Sequence, residues 1–152
     1  MPYIATSHLG QVQYEEDCLI EFPAGIPAFE SEVRFLSLRP PQHAPRVFLQ
    51  SLANPSLAFI SIDARNIAPH YQLELSEEDY EILGGPSEAS DVEVLALITV
   101  TAAGEVPANL QAPIVVHRER RWAVQSIQMN PAYSCRHPLG VASGLTGEQA
   151  CS

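Results

Sequence analysis

Only a few residues in this chain have the types and spacing needed for chemistry. Five histidines, His8, His43, His70, His117 and His137, are scattered along it, and three cysteines, Cys18, Cys135 and Cys151, stand far apart with no Cys-x-x-Cys pair. Neither set has the short, fixed spacing of a zinc site, so no metal is expected, and an odd cysteine count argues against a disulfide framework. The nearest approach to a nucleophile and a base is Cys135-Arg136-His137. Adjacent residues on a strand point to opposite faces, which suits proton transfer poorly, so Cys135 reads as a strand-end residue. Gly-x-Ser-x-Gly, His-Glu-x-x-His, Gly-x-x-x-x-Gly-Lys and Gly-x-Gly-x-x-Gly are all missing from the sequence. Hydrolase, zinc-protease and nucleotide signatures are therefore absent, and neither catalysis nor a cofactor is expected.

Charge leaves two further groups. Between Glu74 and Glu93 lie eight acids, Glu74, Glu77, Glu78, Asp79, Glu81, Glu88, Asp91 and Glu93, and no base. Such a run is either a solvated face or a patch that receives or repels a charged partner. The second group is Arg118, Arg120, Arg121 and Arg136, with Trp122 as a stacking platform, which would suit a nucleic-acid module. The overall charge opposes that use: 18 acids against 8 bases, all of them arginines, give −10. A negative surface repels phosphate backbones and speeds encounter with basic proteins, so direct nucleic-acid binding is not expected and a basic protein partner is favoured.

The elements that would position these residues are short. A chain of 152 residues with 46% hydrophobic content is one domain's worth and long enough to bury roughly 70% of its unfolded surface. Proline and glycine interrupt it too often for long helices. Tyr3–Thr6, Gln11–Tyr14, Cys18–Phe22 and Val33–Leu38 read as strands, and Arg39–Pro45, with three prolines, reads as a linker. Val47–Ser51 and Leu57–Ile62 read as a hairpin about Asn54-Pro55, and Tyr71–Leu75 as another strand. Ser76–Gly84 reads as one helix capped by Ser76, with acids in its first turn. Val92–Thr101 is the expected centre of the sheet, and Ile114–Val116 and Trp122–Ile127 form a hairpin with Asn109 ahead of it. The loop Phe22–Glu30 leaves two readings open: its apolar side chains plug one end of a barrel, or they face a partner.

The expected fold is all-β and mainly antiparallel, a small β-barrel-like or sandwich domain with one short helix. Residues 1–139 are expected to form that single domain, and residues 140–152, which lose all periodicity, a disordered C-terminal tail. The N-terminus lacks the basic start and apolar run of a signal peptide, and no apolar stretch approaches the roughly 20 residues that span a bilayer. A cytoplasmic location without membrane attachment is the expectation.

Five blocks in order carry a family resemblance: Phe22–Glu30, Phe48–Ser51 with Asn54–Phe59, Asp91–Leu95, Ala108–Val115 and Tyr133–Leu139. Together they resemble the flagellar assembly factor FliW family, in register from about Gly10 to Leu139. The pattern departs at Ala28, where a glycine is usual, at Pro107, where threonine is common, and at the turn Arg118–Arg121, which lacks the usual glycine. The resemblance implies a cytoplasmic β-barrel-like protein without catalytic activity. It would bind flagellin and the RNA-binding translational repressor CsrA, which compete for it, and so match flagellin synthesis to secretion. Ile26, Pro27, Phe29, Phe48, Gln50, Asn109, Leu110, Pro113, Arg136, His137, Pro138 and Leu139 are the candidates for partner contacts, or for the framework that shapes them. A small-ligand-binding β-barrel, with a polar-lined cavity, is the alternative.

Overall fold

The computed structural model describes residues 2–27 and 29–141. The departure at Ala28 and most of the expected tail, residues 142–152, lie outside the described residues. Among the described residues there are ten strands: β1 (Tyr3–Thr6), β2 (Gly10–Gln13), β3 (Leu19–Glu21), β4 (Arg34–Leu38), β5 (Arg46–Ser51), β6 (Ala58–Asp63), β7 (Val92–Ile98), β8 (Glu105–His117), β9 (Ala123–Gln125) and β10 (His137–Val141). β1 and β2 form a hairpin of their own. The other eight make one sheet in the order β10-β8-β7-β6-β5-β4-β3, with β9 on the other half of β8, and neighbouring strands in it pair antiparallel. The sheet curls until its ends meet. Glu21 of β3 bridges Trp122 beside β9, and the Glu21 N–H donates to the Arg121 carbonyl at 2.9 Å, which nearly closes a barrel.

The core follows from the alternating patterns. Ile20, Phe22, Phe35, Val47, Leu49, Leu95, Ile114 and Val116 fill one cluster, and Val94, Ala96, Leu110, Val115 and Leu83 a second. A fully buried side chain of this size contributes about 1.5–3 kcal/mol, more than the roughly 1 kcal/mol net of a typical hydrogen bond, so apolar packing holds the barrel together. Ser76 caps the helix α2 (Glu77–Ile82) with a reciprocal capping box: its Oγ accepts from Asp79 N–H at 3.1 Å and its own N–H reaches Asp79 Oδ2 at 3.3 Å.

Several expectations need correction. Among the described residues there are two short α-helices rather than one, because Ala64–Ile67 (α1), capped by Asp63 Oδ1 on the Arg65 N–H, also turns. Tyr71–Leu75 is extended but pairs with no strand among the described residues. Asn109 lies inside β8 and not ahead of it, since the strand begins at Glu105. Cys135 is exposed in a turn before β10 and ends no strand. Trp122–Ile127 contributes only Ala123–Gln125 as regular strand. The turn that lacks glycine still closes, because Arg121 itself takes up the left-handed conformation, at φ 58°.

Candidate functional site

The structure separates the twelve candidate residues into three places. In the loop after β3, Ile26 is buried in the first core cluster while Pro27 is exposed. Phe29 remains 40% exposed with its ring edge-on to Phe59, centroids 5.7 Å apart. The loop is therefore divided: Phe22 and Ile26 are buried in the first core cluster, and Phe29 keeps partly exposed surface. Gly25 makes this possible, because its φ of +74° and a hypothetical Cβ at 2.9 Å from the Glu30 backbone leave no room for a side chain.

The second place is the β4–β5 region. Phe48 is buried with Leu36 and Leu38 and lies edge-on to His43. Gln50 is fully buried, and its Nε2 faces four carbonyls of the β5–β6 turn: Ser51 at 3.0 Å, Asn54 at 3.2 Å, Pro55 at 3.3 Å and Leu57 at 3.2 Å. It ties that turn from inside and is not presented to a partner.

The third place brings Asn109, Leu110 and Pro113 together with Arg136–Leu139. β7 and β8 pair Leu95 with Ile114 and then Leu97 with Asn109, so residues 110–113 bulge out of the ladder opposite Ala96. Asn109 pins this bulge, its Oδ1 accepting from the N–H groups of Gln111 and Ala112, both at 3.0 Å. The backbone groups released from the ladder are taken up elsewhere. Tyr71 Oη donates to Leu110 O at 2.6 Å, Gln125 Nε2 to Ala112 O at 3.0 Å, and the N–H groups of Ser126 and Gln128 to Pro113 O and Gln111 O. Pro113 sits where its missing N–H loses nothing. Past the bulge, His137 and Pro138 face Ala108 and Pro107 across β10–β8, Arg136 and Pro138 are exposed, and Leu139 packs against the second cluster.

Residues that the sequence did not single out complete this region. Tyr71 stacks on Tyr133 with centroids 4.2 Å apart, and burial, with the second phenol beside it, pushes the Tyr71 phenol far above its usual range. It thus stays protonated and keeps donating to Leu110. Gln128, 2% exposed, holds both backbone groups of Glu74 with its amide. No sequence motif signals these partners, which lie 39–61 positions apart.

Electrostatically the surface is divided. Three of the eight acids are structural: Asp79 caps α2 and accepts from Ser126 Oγ at 2.7 Å, Asp91 Oδ2 accepts the Glu88 N–H at 2.8 Å, and Glu93 joins Arg39 and Arg118 at 3.1 and 3.3 Å. Glu74, Glu77, Glu78, Glu81 and Glu88 are exposed. Three of the four arginines of the supposed nucleic-acid platform are engaged within the fold, although Arg118 and Arg120 keep exposed surface, and Arg136 is exposed. Arg118 serves Glu93 and Ser90 O, Arg120 caps the end of α2 through Leu83 O, and Arg121 reaches toward Leu19 O. Among the described residues no group of three or more His, Cys, Asp or Glu side chains could hold a metal ion. Among the described residues, no helix is long and apolar enough to cross a membrane.

The nearly closed antiparallel sheet, with its internally tied turns and bulge, puts the chain in the class of small β-barrel-like domains. The family model described as FliW protein matches residues 3–139. The flagellar assembly factor FliW of Bacillus pumilus is 38% identical over 141 residues, covering 92% of this chain and 97% of the relative. Those of Syntrophomonas wolfei and Bacillus subtilis are 34% and 35% identical, each over 90% of this chain and over 87% and 96% of their own lengths. The crystal structure of a flagellar assembly factor FliW superposes with a TM-score of 0.79 at 34% identity, covering 91% of this chain and 97% of that one. The chain belongs to the FliW family of flagellar assembly factors.

Proposed function

We propose that this flagellar assembly factor is a non-enzymatic, cytoplasmic regulator that binds flagellin and antagonises a CsrA-type RNA-binding translational repressor, coupling flagellin translation to flagellum assembly. The observation that carries the reading is the distribution of charge on this FliW-family barrel: exposed acids on and around α2, while the neighbouring Arg118 and Arg120 are bonded to Glu93 and to the Leu83 carbonyl. Docked on a basic repressor, that surface opposes an incoming phosphate backbone. One unit-charge pair 10 Å apart contributes only about 0.4 kcal/mol in bulk water, so the opposition must come from several acids together, and salt weakens it. Flagellin and the repressor compete for the protein, and neither nucleic acid nor membrane is bound directly. Of the candidate contacts, Pro27, Phe29, Arg136 and Pro138 are the exposed ones and face partners in this reading. Ile26, Phe48, Gln50, Asn109, Leu110 and Pro113 shape the framework, and His137 and Leu139 hold the β10 edge. Titration calorimetry with monomeric flagellin and with the repressor tests this: each is expected to bind tighter than about 10 μM, and weaker binding of both would overturn it.

A further inference from the structure

Residues 71–75 have the alternating pattern of a strand yet stand beside the sheet unpaired. The Gln72 N–H donates to Tyr133 Oη at 2.6 Å, and Glu74 is held at its N–H and its C=O by the Gln128 amide, both at 2.9 Å. In an extended chain, alternate residues turn their backbone groups to the same edge, so residues 72 and 74 define the edge anchored to the protein. The opposite edge belongs to Leu73 and Leu75. The N–H and C=O of Leu73 and the N–H of Leu75 meet no hydrogen-bond partner among the described residues. Leu73 and Leu75 line a groove of about 300 Å³ whose other walls include Arg65, Tyr80, Ser87 and Glu88. A second hollow, of about 470 Å³, shares Tyr80 and Ser87 and continues along α2 past Glu77 and Glu81.

An extended edge with unpaired backbone groups is a template for strand addition. We infer that the Leu73 edge is a docking strand, to which a basic partner adds an extended segment along the Arg65–Tyr80 groove. Charge selects the occupant. Glu74, Glu77, Glu81 and Glu88 are all exposed around the groove, so the incoming segment carries basic side chains, and Arg65 offers a donor to one of its carbonyls or carboxylates. Building on the function proposed above, the occupant is a segment of the RNA-binding repressor, with its backbone supplying the bonds and its cations meeting the acidic rim.

The test is amide hydrogen exchange of the full chain, alone and with saturating repressor, together with the affinities of Leu73→Pro and Leu73→Ala. The Leu73 N–H bonds nothing inside the fold, so proline there removes the docking donor, and alanine controls for the lost side chain. Exchange at Leu73 and Leu75 is expected to slow about tenfold or more in the complex, and Leu73→Pro to bind about tenfold more weakly than Leu73→Ala, a difference of about 1.4 kcal/mol. If the wild type binds the repressor while both amides exchange as in the free protein, strand addition is wrong and the proposed function stands. Equal affinity of two folded Leu73 variants overturns it as well. Should flagellin alone protect these amides, the assigned occupant is wrong. Failure of the wild type to bind the repressor at all removes both readings.

Discussion

Replacing Phe22 by alanine is expected to destabilise the protein by about 3–5 kcal/mol, the range for removing a fully buried aromatic ring. Phe22 has no exposed surface, packs edge-on against Phe35 at 5.5 Å, and sits where the chain leaves β3 to form the loop that seals the barrel end. Its backbone is fixed on both sides, the N–H donating to Val33 O at 2.7 Å and the C=O accepting from Gly25 N–H at 2.8 Å. The site therefore has little freedom to collapse into the void. Against a total stability of about 5–15 kcal/mol, this loss removes a large fraction of the folded state's margin. Urea unfolding monitored at Trp122 should show the midpoint falling with the slope unchanged; a loss below about 1 kcal/mol would mean that the loop and not the ring closes the barrel. Phe29→Ala makes the contrast within the same loop, since Phe29 is 40% exposed and only the face toward Phe59 is lost.

Gln50→Glu is expected to be as damaging at neutral pH, again by about 3–5 kcal/mol, because it places an uncompensated charge in the interior. The amide is fully buried against four carbonyl oxygens, and a carboxylate there has no donor to accept from. Binding a proton relieves this, as the neutral acid donates one O–H to a carbonyl. The folded state thus holds the introduced proton more tightly than the unfolded chain, where a glutamate titrates near 4.3. With the folded value raised, the variant's stability is present below about pH 4.3 and is lost as pH rises toward the folded value. Urea midpoints of variant and wild type, compared at pH 7 and at pH 5, should differ most at pH 7. An equal difference at both values would show that Gln50 reaches solvent and is a surface contact after all.

Those two positions illustrate what was legible in the sequence. The apolar loop announced itself because Phe22, Ile26 and Phe29 persist through prolines and a glycine, but which of them turned inward depended on Gly25 and the Glu30 backbone. The β5–β6 hairpin and the Ser76 cap were readable because their signals are local. β8 was legible only in part, since Ile114–Val116 stood out as its β-branched run while the strand extends from Glu105 to His117. In the fold Pro107 faces Pro138 at the β10 pairing, and Pro113 occupies a bulge whose freed carbonyls are satisfied by Tyr71, Gln125, Ser126 and Gln128 from distant parts of the chain. The same distance hid the fate of Tyr71–Leu75, whose partners are the side chains of Gln128 and Tyr133 instead of another strand. The acidic belt was visible as composition. Its division into structural caps and free acids required the positions of Ser76, Ser126, Arg39 and Arg118.

Competition on RNA decides whether, as proposed, this FliW-family barrel restrains a translational repressor and is itself restrained by flagellin. The repressor is bound to its labelled target RNA, this protein is titrated in at moderate salt, and flagellin monomer is then added while RNA anisotropy is followed. The predicted result is release of the RNA by the protein, rebinding when flagellin is added, and weaker release as ionic strength rises. RNA that stays bound at saturating protein, or release that flagellin does not reverse, would overturn the proposed function.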